Sequence, residues 1–332
     1  MTITSQNHNA NAINENYNAK SLKEREIILM ECFDILKEKL PSMEMRQDEP
    51  MKNHTTFKIG GPVRLMCFPE SAEDLQTVCD VLCEQNITPF ILGNGSNILA
   101  SDEPLDLVVI NTSKLDSISI INDMENFCDV KAYSGTLLSK LAVFAYEHGL
   151  SGLEFSHGIP GSVGGAVVMN AGAYGEEMKD VIIETEAYSK ADGLKVLTAA
   201  DNNFSYRHSR FSDSNEIVVS AVMRLKKGDK KSIKDKMDEL STRRKESQPL
   251  NIPSGGSTFK RPKEGYAAAL IENAGLKGYT VGDAMVSEKH SGFVVNNGNA
   301  TFADVISVVE HVQKVISEKN KFRLETEIKI VR

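Results

Sequence analysis

The chain has 332 residues, 41% of them hydrophobic and 25% charged, with a formal net charge of −8 and an isoelectric point near 5.5. That length predicts two or three domains, and that charge argues against nucleic acid as a partner, so any bound anion must be held by local positive charge. No apolar run approaches the roughly 20 residues that cross a bilayer, and no secretory segment is present, so a cytoplasmic protein with no membrane partner is expected.

Residues 1–20 are polar and rich in asparagine, including Asn7, Asn9, Asn11, Asn14, Asn16 and Asn18. They cannot bury enough apolar surface to order themselves and are expected to form a disordered tail. Residues 21–50 are expected to be a helix and a linker. The helix covers 21–40, with Ile27, Ile28, Met30, Leu36 and Leu40 as its apolar positions and Pro41 as the stop.

From about residue 54 to 226 strands and helices alternate. Ser71-Ala72-Glu73-Asp74 has the form of a capping box, and Leu75, Val78, Cys79 and Leu82 follow on one helical face. The apolar run Phe90 to Leu92 then ends in Gly93-Asn94-Gly95-Ser96-Asn97. A strand running into small, donor-rich residues presents amides to phosphate. It is not a Rossmann fingerprint, because Ile98 stands where the third glycine belongs. Leu105 to Ile110 reads as a buried strand. Leu137 to His148 reads as a helix stopped by Gly149.

Between Gly149 and Gly175 eight of 27 residues are glycine, out of 23 in the whole chain. Such density costs backbone entropy, and the interleaved Ile159, Pro160, Val163, Val167 and Val168 exclude a flexible linker. The segment predicts a rigid loop whose N–H groups form an anion-binding concavity. With the loop at 93–97 it predicts two backbone segments gripping one long phosphate-bearing cofactor. Val181 to Tyr188 and Leu194 to Thr198 read as strands around an Ala191-Asp192-Gly193 turn, and Glu216 to Leu225 as a further strand.

The polar break Lys226-Lys227-Gly228-Asp229 sets the expected end of a domain spanning 51–228. Beyond it a charged helix, Ser232 to Glu246, opens a smaller α+β domain over 229–322. Its clearest helix is Thr301 to Lys319, with Thr301 and Asp304 as cap and Val305, Val308, Val309, Val312 and Ile316 as apolar face. Residues 323–332 are expected to add a last strand to the active site. The cysteines, Cys32, Cys67, Cys79, Cys83 and Cys128, lack metal-ligand spacing and are read as reduced packing residues. No metal site is expected.

Three stretches carry candidate chemistry. In Phe204-Ser205-Tyr206-Arg207-His208-Ser209-Arg210-Phe211, two arginines beside aromatics suit a planar anion, although an ordinary surface strand would read the same way. In Pro253-Ser254-Gly255-Gly256-Ser257-Thr258-Phe259-Lys260-Arg261-Pro262, glycines allow close approach to the Ser257 hydroxyl. No G-x-S-x-G elbow is present, which argues against a serine hydrolase. In Leu324-Glu325-Thr326-Glu327-Ile328, alternation places Glu325 and Glu327 on one face.

Taken together, NHTTFKIGGP (53–62), ILGNGSNIL (91–99), LEFSHGIPGSVGGAVVMNAGAYG (153–175), FSYRHSRF (204–211), PSGGSTFKRP (253–262), AALIENAGLKGYTVGDAMVSEKHSGFVVN (268–296) and LETEI (324–328) resemble the UDP-N-acetylenolpyruvoylglucosamine reductase family, in order, over about residues 50–331. The resemblance implies an α+β fold: a PCMH-type FAD-binding domain of two subdomains, plus a smaller α+β substrate domain. It implies noncovalent FAD, NADPH as co-substrate, and an enolpyruvyl ether of a UDP-sugar as substrate. By motif match Arg207 holds and polarises the substrate carboxylate, Ser257 donates a proton to carbon, and Glu327 assists. Within the matching motifs Gly93, Asn94, Gly95, Ser96, Asn97, Gly158, Ile159, Pro160, Gly161, Gly164, Gly165 and Asn170 are expected to contact FAD. Tyr206, Arg244, Lys260 and Arg261 are expected to contact substrate. The stretch between the arginine and serine motifs is too short for the inserted tyrosine loop of one branch of the family, so the chain resembles the shorter branch. A monomer is expected. Two other classes remain open at this point: a different FAD enzyme of the fold, with flavin tethered through His157, or a flavin-binding protein without turnover.

Overall fold

The computed structural model describes residues 20–332, so the tail expected over 1–20 lies almost wholly outside the described residues. The first helix, Leu22–Lys39, starts at a Ser21/Glu24 capping box. Its buried positions are Ile28, Leu29, Cys32 and Leu36, while Ile27 and Met30 are 49% and 62% exposed. The expected face was therefore rotated. A spacing of 28, 29, 32 and 36 keeps one stripe along a 3.6-residue turn, and adding 27 and 30 would have spread it too wide.

The chain forms two compact units, and both are discontinuous in sequence. The first holds residues up to Asp48, Arg64–Gly93 and Leu107–Met237; the second holds Glu49–Val63, Asn94–Asp106 and Asp238–Arg332. This differs from the single boundary expected at 228. Within the second unit, a hydrogen bond from Met51 N to Gly61 O closes the first early segment on itself, and one from Gly61 N to Ser101 O ties it to the next. The strand Ile98–Ala100 pairs in parallel with Lys329–Val331 at the other end of the sequence.

The first unit contains two sheets. In the smaller, the strands lie in the order Glu44–Pro50, Pro62–Phe68, Leu105–Asn111, Phe90–Leu92. The helix Ala72–Glu84, capped by the expected Ser71/Asp74 box, joins the first helix in its core, where Leu36, Cys67, Leu75, Val78, Leu82 and Ile110 are buried together. Each fully buried aliphatic side chain there contributes about 1.5–3 kcal/mol. The larger sheet is antiparallel, in the order Gly193–Thr198, Ile182–Ser189, Ile217–Lys227, Phe127–Tyr133, Ile118–Asp123. Ile217 to Met223 are buried without alternation, as a strand covered on both faces requires. The short helix Val163–Val168 packs on this strand.

In the second unit the sheet Thr280–Val281, Ala284–Val286, Val294–Asn296 packs against the helix Phe302–Asn320. That helix has the expected Thr301/Asp304 capping box, and its buried Val305, Val308, Val309, Val312 and Ile316 surround a core shared with Phe57, Ile59, Leu99 and Phe259.

All five cysteines are free, and all but Cys83 are buried. Burial pushes the Cys32 thiol up to about 11 and that of Cys67 up to about 12, so both are inert at neutral pH. No helix among the described residues is long and apolar enough to cross a membrane.

Candidate active site

In the first unit the glycine segment folds against the turn that follows strand Phe127–Tyr133. Gly161 O accepts from Leu138 N, Val163 N donates to Thr136 O, and Gly164 N donates to Ser134 O. A Cβ on Gly164 would lie 2.8 Å from Ser134 Cβ, so only glycine permits this approach. Ser162 is the N-cap of helix Val163–Val168, yet its side chain makes no capping bond. Its hydroxyl is buried without a partner, and so is that of Ser134. A Cβ on Gly93 would lie 2.3 Å from Ser162 Oγ, and one on Gly165 would lie 3.7 Å from it. Buried polar atoms are almost always satisfied. Two orphaned hydroxyls lined by glycines fit a cofactor that brings its own polar atoms. Of the other expected cofactor contacts here, Gly158, Ile159 and Gly161 are half-buried and Pro160 is exposed. His157 Nδ1 is a third buried atom without a partner.

Asn170 follows this helix and has a different task from the one expected. Its amide nitrogen donates to Glu177 Oε2 at 2.9 Å and to Ser205 O at 3.0 Å, and its amide oxygen accepts from Lys179 N at 3.0 Å. The side chain is thus fully engaged within the protein and offers a cofactor no free donor.

The segment Phe204–Phe211 is a tight turn rather than the surface strand it resembled. Ser205 and His208 form an antiparallel bridge, joined by Ser205 N to His208 O at 3.0 Å and His208 N to Ser205 O at 3.3 Å. Tyr206 and Arg207 make the corner, and Arg207 has φ +55°. For an arginine that left-handed backbone costs roughly 1–2 kcal/mol. Such outliers persist where the surroundings over-determine them. Here Arg207 Nη2 donates to Gly172 O at 3.3 Å, and the guanidinium lies 5.2 Å from the Tyr206 ring centroid. Tyr206 is 47% exposed. Arg210, the second arginine of the motif, is structural: it pairs with both carboxylate oxygens of Glu216 at 2.7 and 3.0 Å.

In the second unit Gly95 has φ +60°, and a Cβ there would lie 2.0 Å from His54 O. Gly95 O accepts from Thr56 N, and the Thr56 hydroxyl donates to Ser254 O at 2.6 Å. This links loop 94–97 to the serine loop. Asn94 is exposed, and Ser96 and Asn97 are half-buried. Asn97 donates its side-chain amide to Glu327 O at 3.0 Å, and its backbone carbonyl accepts from Lys329 N at 2.8 Å. Asn97 therefore clamps segment 327–329 against loop 94–97.

Ser257 is exposed, in a loop pinned on both sides. Ser254 bridges to Val295, Thr258 N donates to Gly292 O, and Phe259 bridges to Thr326. Gly255 is required by packing, since a Cβ would meet the Phe57 ring at 2.5 Å. Glu327 N donates to Thr258 O at 2.8 Å, which brings the backbones of Ser257 and Glu327 onto adjacent segments. Leu324 and Ile328 are buried, Glu325 is exposed, and Thr326 and Glu327 are both half-buried, so burial follows the expected alternation only in part. The regular strand is shorter than the expected 323–332. It covers only Lys329–Val331, because residues 324–327 pair with loop 258–260 through an isolated bridge. Among the expected substrate contacts, Lys260 Nζ lies 3.4 Å from Glu325 and Arg261 stacks 4.0 Å from the Tyr266 ring centroid. Arg244 lies in the last turn of helix Lys230–Ser247. Arg207 belongs to the first unit, and Ser257 and Glu327 to the second.

Residue types alone could not reveal Ser134 and Ser162, the Asn170 brace, or the Thr56 link. For Ser134 and Ser162 the only sequence signal is a neighbouring glycine, Gly135 and Gly161.

Residues 63–198 match the family profile described as FAD binding domain, and residues 248–331 match that of the UDP-N-acetylenolpyruvoylglucosamine reductase C-terminal domain. The chain is 47% identical over 298 residues to a UDP-N-acetylenolpyruvoylglucosamine reductase of Caldanaerobacter subterraneus, covering 90% of this chain and 97% of that one. It is 45% identical over 289 residues to the reductase of Petrotoga mobilis, covering 86% and 94%. The crystal structure of UDP-N-acetylenolpyruvylglucosamine reductase from Thermus caldophilus superposes with a TM-score of 0.73 at 34% identity, over 87% of this chain and 99% of that one.

Proposed function

The chain belongs to the UDP-N-acetylenolpyruvoylglucosamine reductase family, and from that premise we propose that Arg207, Ser257 and Glu327 carry the family's reaction here. It reduces the enolpyruvyl ether of UDP-N-acetylglucosamine to UDP-N-acetylmuramate, a step of peptidoglycan precursor synthesis, with NADPH as reductant and FAD as mediator. FAD, when bound, would supply the hydride chemistry that links NADPH to the terminal vinyl carbon of the substrate.

The protein's part is to bind, orient and protonate. Negative charge develops on the adjacent carbon and the carboxylate, and a fixed cation aimed at it is the strongest stabilising term available. Arg207 supplies that cation, and its guanidinium fork matches a carboxylate bidentately. Ser257 delivers a proton to the carbon. A serine hydroxyl is a weak acid at its free pKa and needs a relay partner. Glu327 is the carboxylate on the neighbouring segment, and this adjacency is the observation that carries the assignment. Gly93, Gly164 and Gly165, with the hydroxyls of Ser134 and Ser162, would hold FAD, as would the residues of loop 94–97. Tyr206 would flank the substrate carboxylate, while Lys260, Arg261 and Arg244 would meet the UDP diphosphate. Lys260 would exchange its Glu325 contact for that anion.

We also place the enzyme in the cytoplasm, where NADPH and nucleotide sugars are made, and as a monomer, since one chain supplies all three catalytic residues. The test is anaerobic stopped flow: NADPH should bleach the flavin, and the enolpyruvyl substrate should restore its colour. Reduced flavin that is not reoxidised would refute the reading. Acid precipitation should release all the yellow colour, and a yellow pellet would point to a tether at His157.

A further inference from the structure

Asn170 and Arg207 are 37 positions apart, yet both have left-handed backbones, φ +41° and +55°, and one hydrogen bond from Asn170 reaches the arginine's turn. We propose that Asn170 is a positioning residue for Arg207, acting on recognition of the substrate carboxylate. The inference rests on the reading that Arg207 binds that carboxylate.

Asn170 is wholly buried, and every polar atom of its amide is used. The bond to Ser205 O fixes the residue that leads into the two-residue corner bearing Arg207. The bond to Glu177 Oε2 fixes the opposite side, because Glu177 pairs in register with Gly172, whose carbonyl accepts from Arg207 Nη2. Lys179 Nζ holds the same Glu177 oxygen at 2.6 Å, which balances the half-buried carboxylate. The turn's far side is tied to the same helix end, since Ser209 Oγ and Ser212 Oγ both donate to Val168 O, at 2.8 and 3.0 Å. The turn that bears Arg207 is thus held at Ser205 by one asparagine, and the arginine side chain by the hairpin that this asparagine also grips. No other residue type fits well. Aspartate keeps the shape but loses both donors and sets a second carboxylate beside Glu177. Alanine loses all three bonds and disfavours the positive φ, which asparagine tolerates.

The test uses the FAD-loaded enzyme and two ligands, followed by the flavin spectrum. UDP-N-acetylmuramate carries the carboxylate, and UDP-N-acetylglucosamine lacks it. Asn170→Gly keeps the left-handed backbone and removes only the amide. It should weaken binding of UDP-N-acetylmuramate about 10- to 100-fold, the worth of one charged hydrogen bond, and leave UDP-N-acetylglucosamine within about twofold. In an Arg207→Ala background Asn170→Gly should have no further effect on either ligand. Equal weakening for both ligands, or a full additional loss in the Arg207→Ala background, would overturn the proposal. Arg207→Ala that still distinguishes the two ligands as the parent does would instead overturn the reading beneath it. Should Asn170→Gly fail to fold, Asn170→Ser is measured in the same way, with the same outcomes.

Discussion

Arg207 allows a stability comparison whose sign is inverted from the ordinary one. Replacing it with alanine or with glycine removes the guanidinium in both cases, and with it the bond to Gly172 O at 3.3 Å, so that loss cancels in the comparison. What differs is the backbone. At an ordinary position glycine is the less stable of the two by about 0.4–1 kcal/mol, because it frees the unfolded chain. At φ +55° alanine bears the left-handed cost of roughly 1–2 kcal/mol and glycine does not. The balance favours Arg207→Gly by about 0.5–1 kcal/mol. For a body the size of the first unit that is about 1–4 °C in melting temperature. Calorimetry should be read transition by transition, since a protein of two units need not unfold in one step. Both variants should lose substrate-driven flavin reoxidation by about 10²–10³-fold, the usual effect of removing one charge-stabilising donor. An alanine variant more stable than the glycine variant would refute the left-handed turn. Either variant reoxidising at the parent rate would refute the role given to the cation.

Three further outcomes are expected. Ser257→Ala should leave NADPH reduction of the flavin near the parent rate and slow its reoxidation by substrate about 10²–10⁴-fold in stopped flow, since only the second step protonates carbon; equal loss in both would mark a structural role. Glu327→Gln should slow the same step by orders of magnitude at unchanged FAD content, and Glu325→Gln, paired outward with Lys260, should do much less; a fully active Glu327→Gln enzyme removes that carboxylate from the mechanism. Gly95→Val should yield colourless protein by pushing residues 54–56 away from the loop, whereas Gly165→Ala, whose Cβ has 3.7 Å of room, should keep the flavin spectrum; a yellow Gly95→Val protein would exclude loop 94–97 from the cofactor site.

What could be read from the sequence was whatever depends on neighbours along the chain. The capping boxes at Ser71 and Thr301, the apolar faces behind them, and the turn at Gly193 with φ +66° all have local causes. Motif resemblance supplied Arg207, Ser257 and Glu327. The rest was hidden by distance or by unusual residues. Nothing near Asn97 announces a partner 230 positions away, so the interleaving of the two units left no local trace. The corner at Tyr206-Arg207 carries neither glycine nor asparagine, the residues by which such turns are usually recognised, and it read as a strand. Asn170 read as a cofactor contact because it lies in a glycine-rich motif, while its bonds run to residues 177, 179 and 205.

The clamp at Asn97 has a consequence for how the protein is made. A ribosome delivers the loop 94–97 early, but one group that closes it, Glu327 O, follows 230 positions later, with Lys329 N just behind. Domains generally fold as units during synthesis, amino-terminal first, and here the second unit must wait for those residues. On the proposed assignment FAD can then be gripped fully only by a chain that extends through Lys329. A product that stops before Glu327 leaves the loop open, so the yellow colour of a preparation would count the molecules that reach it.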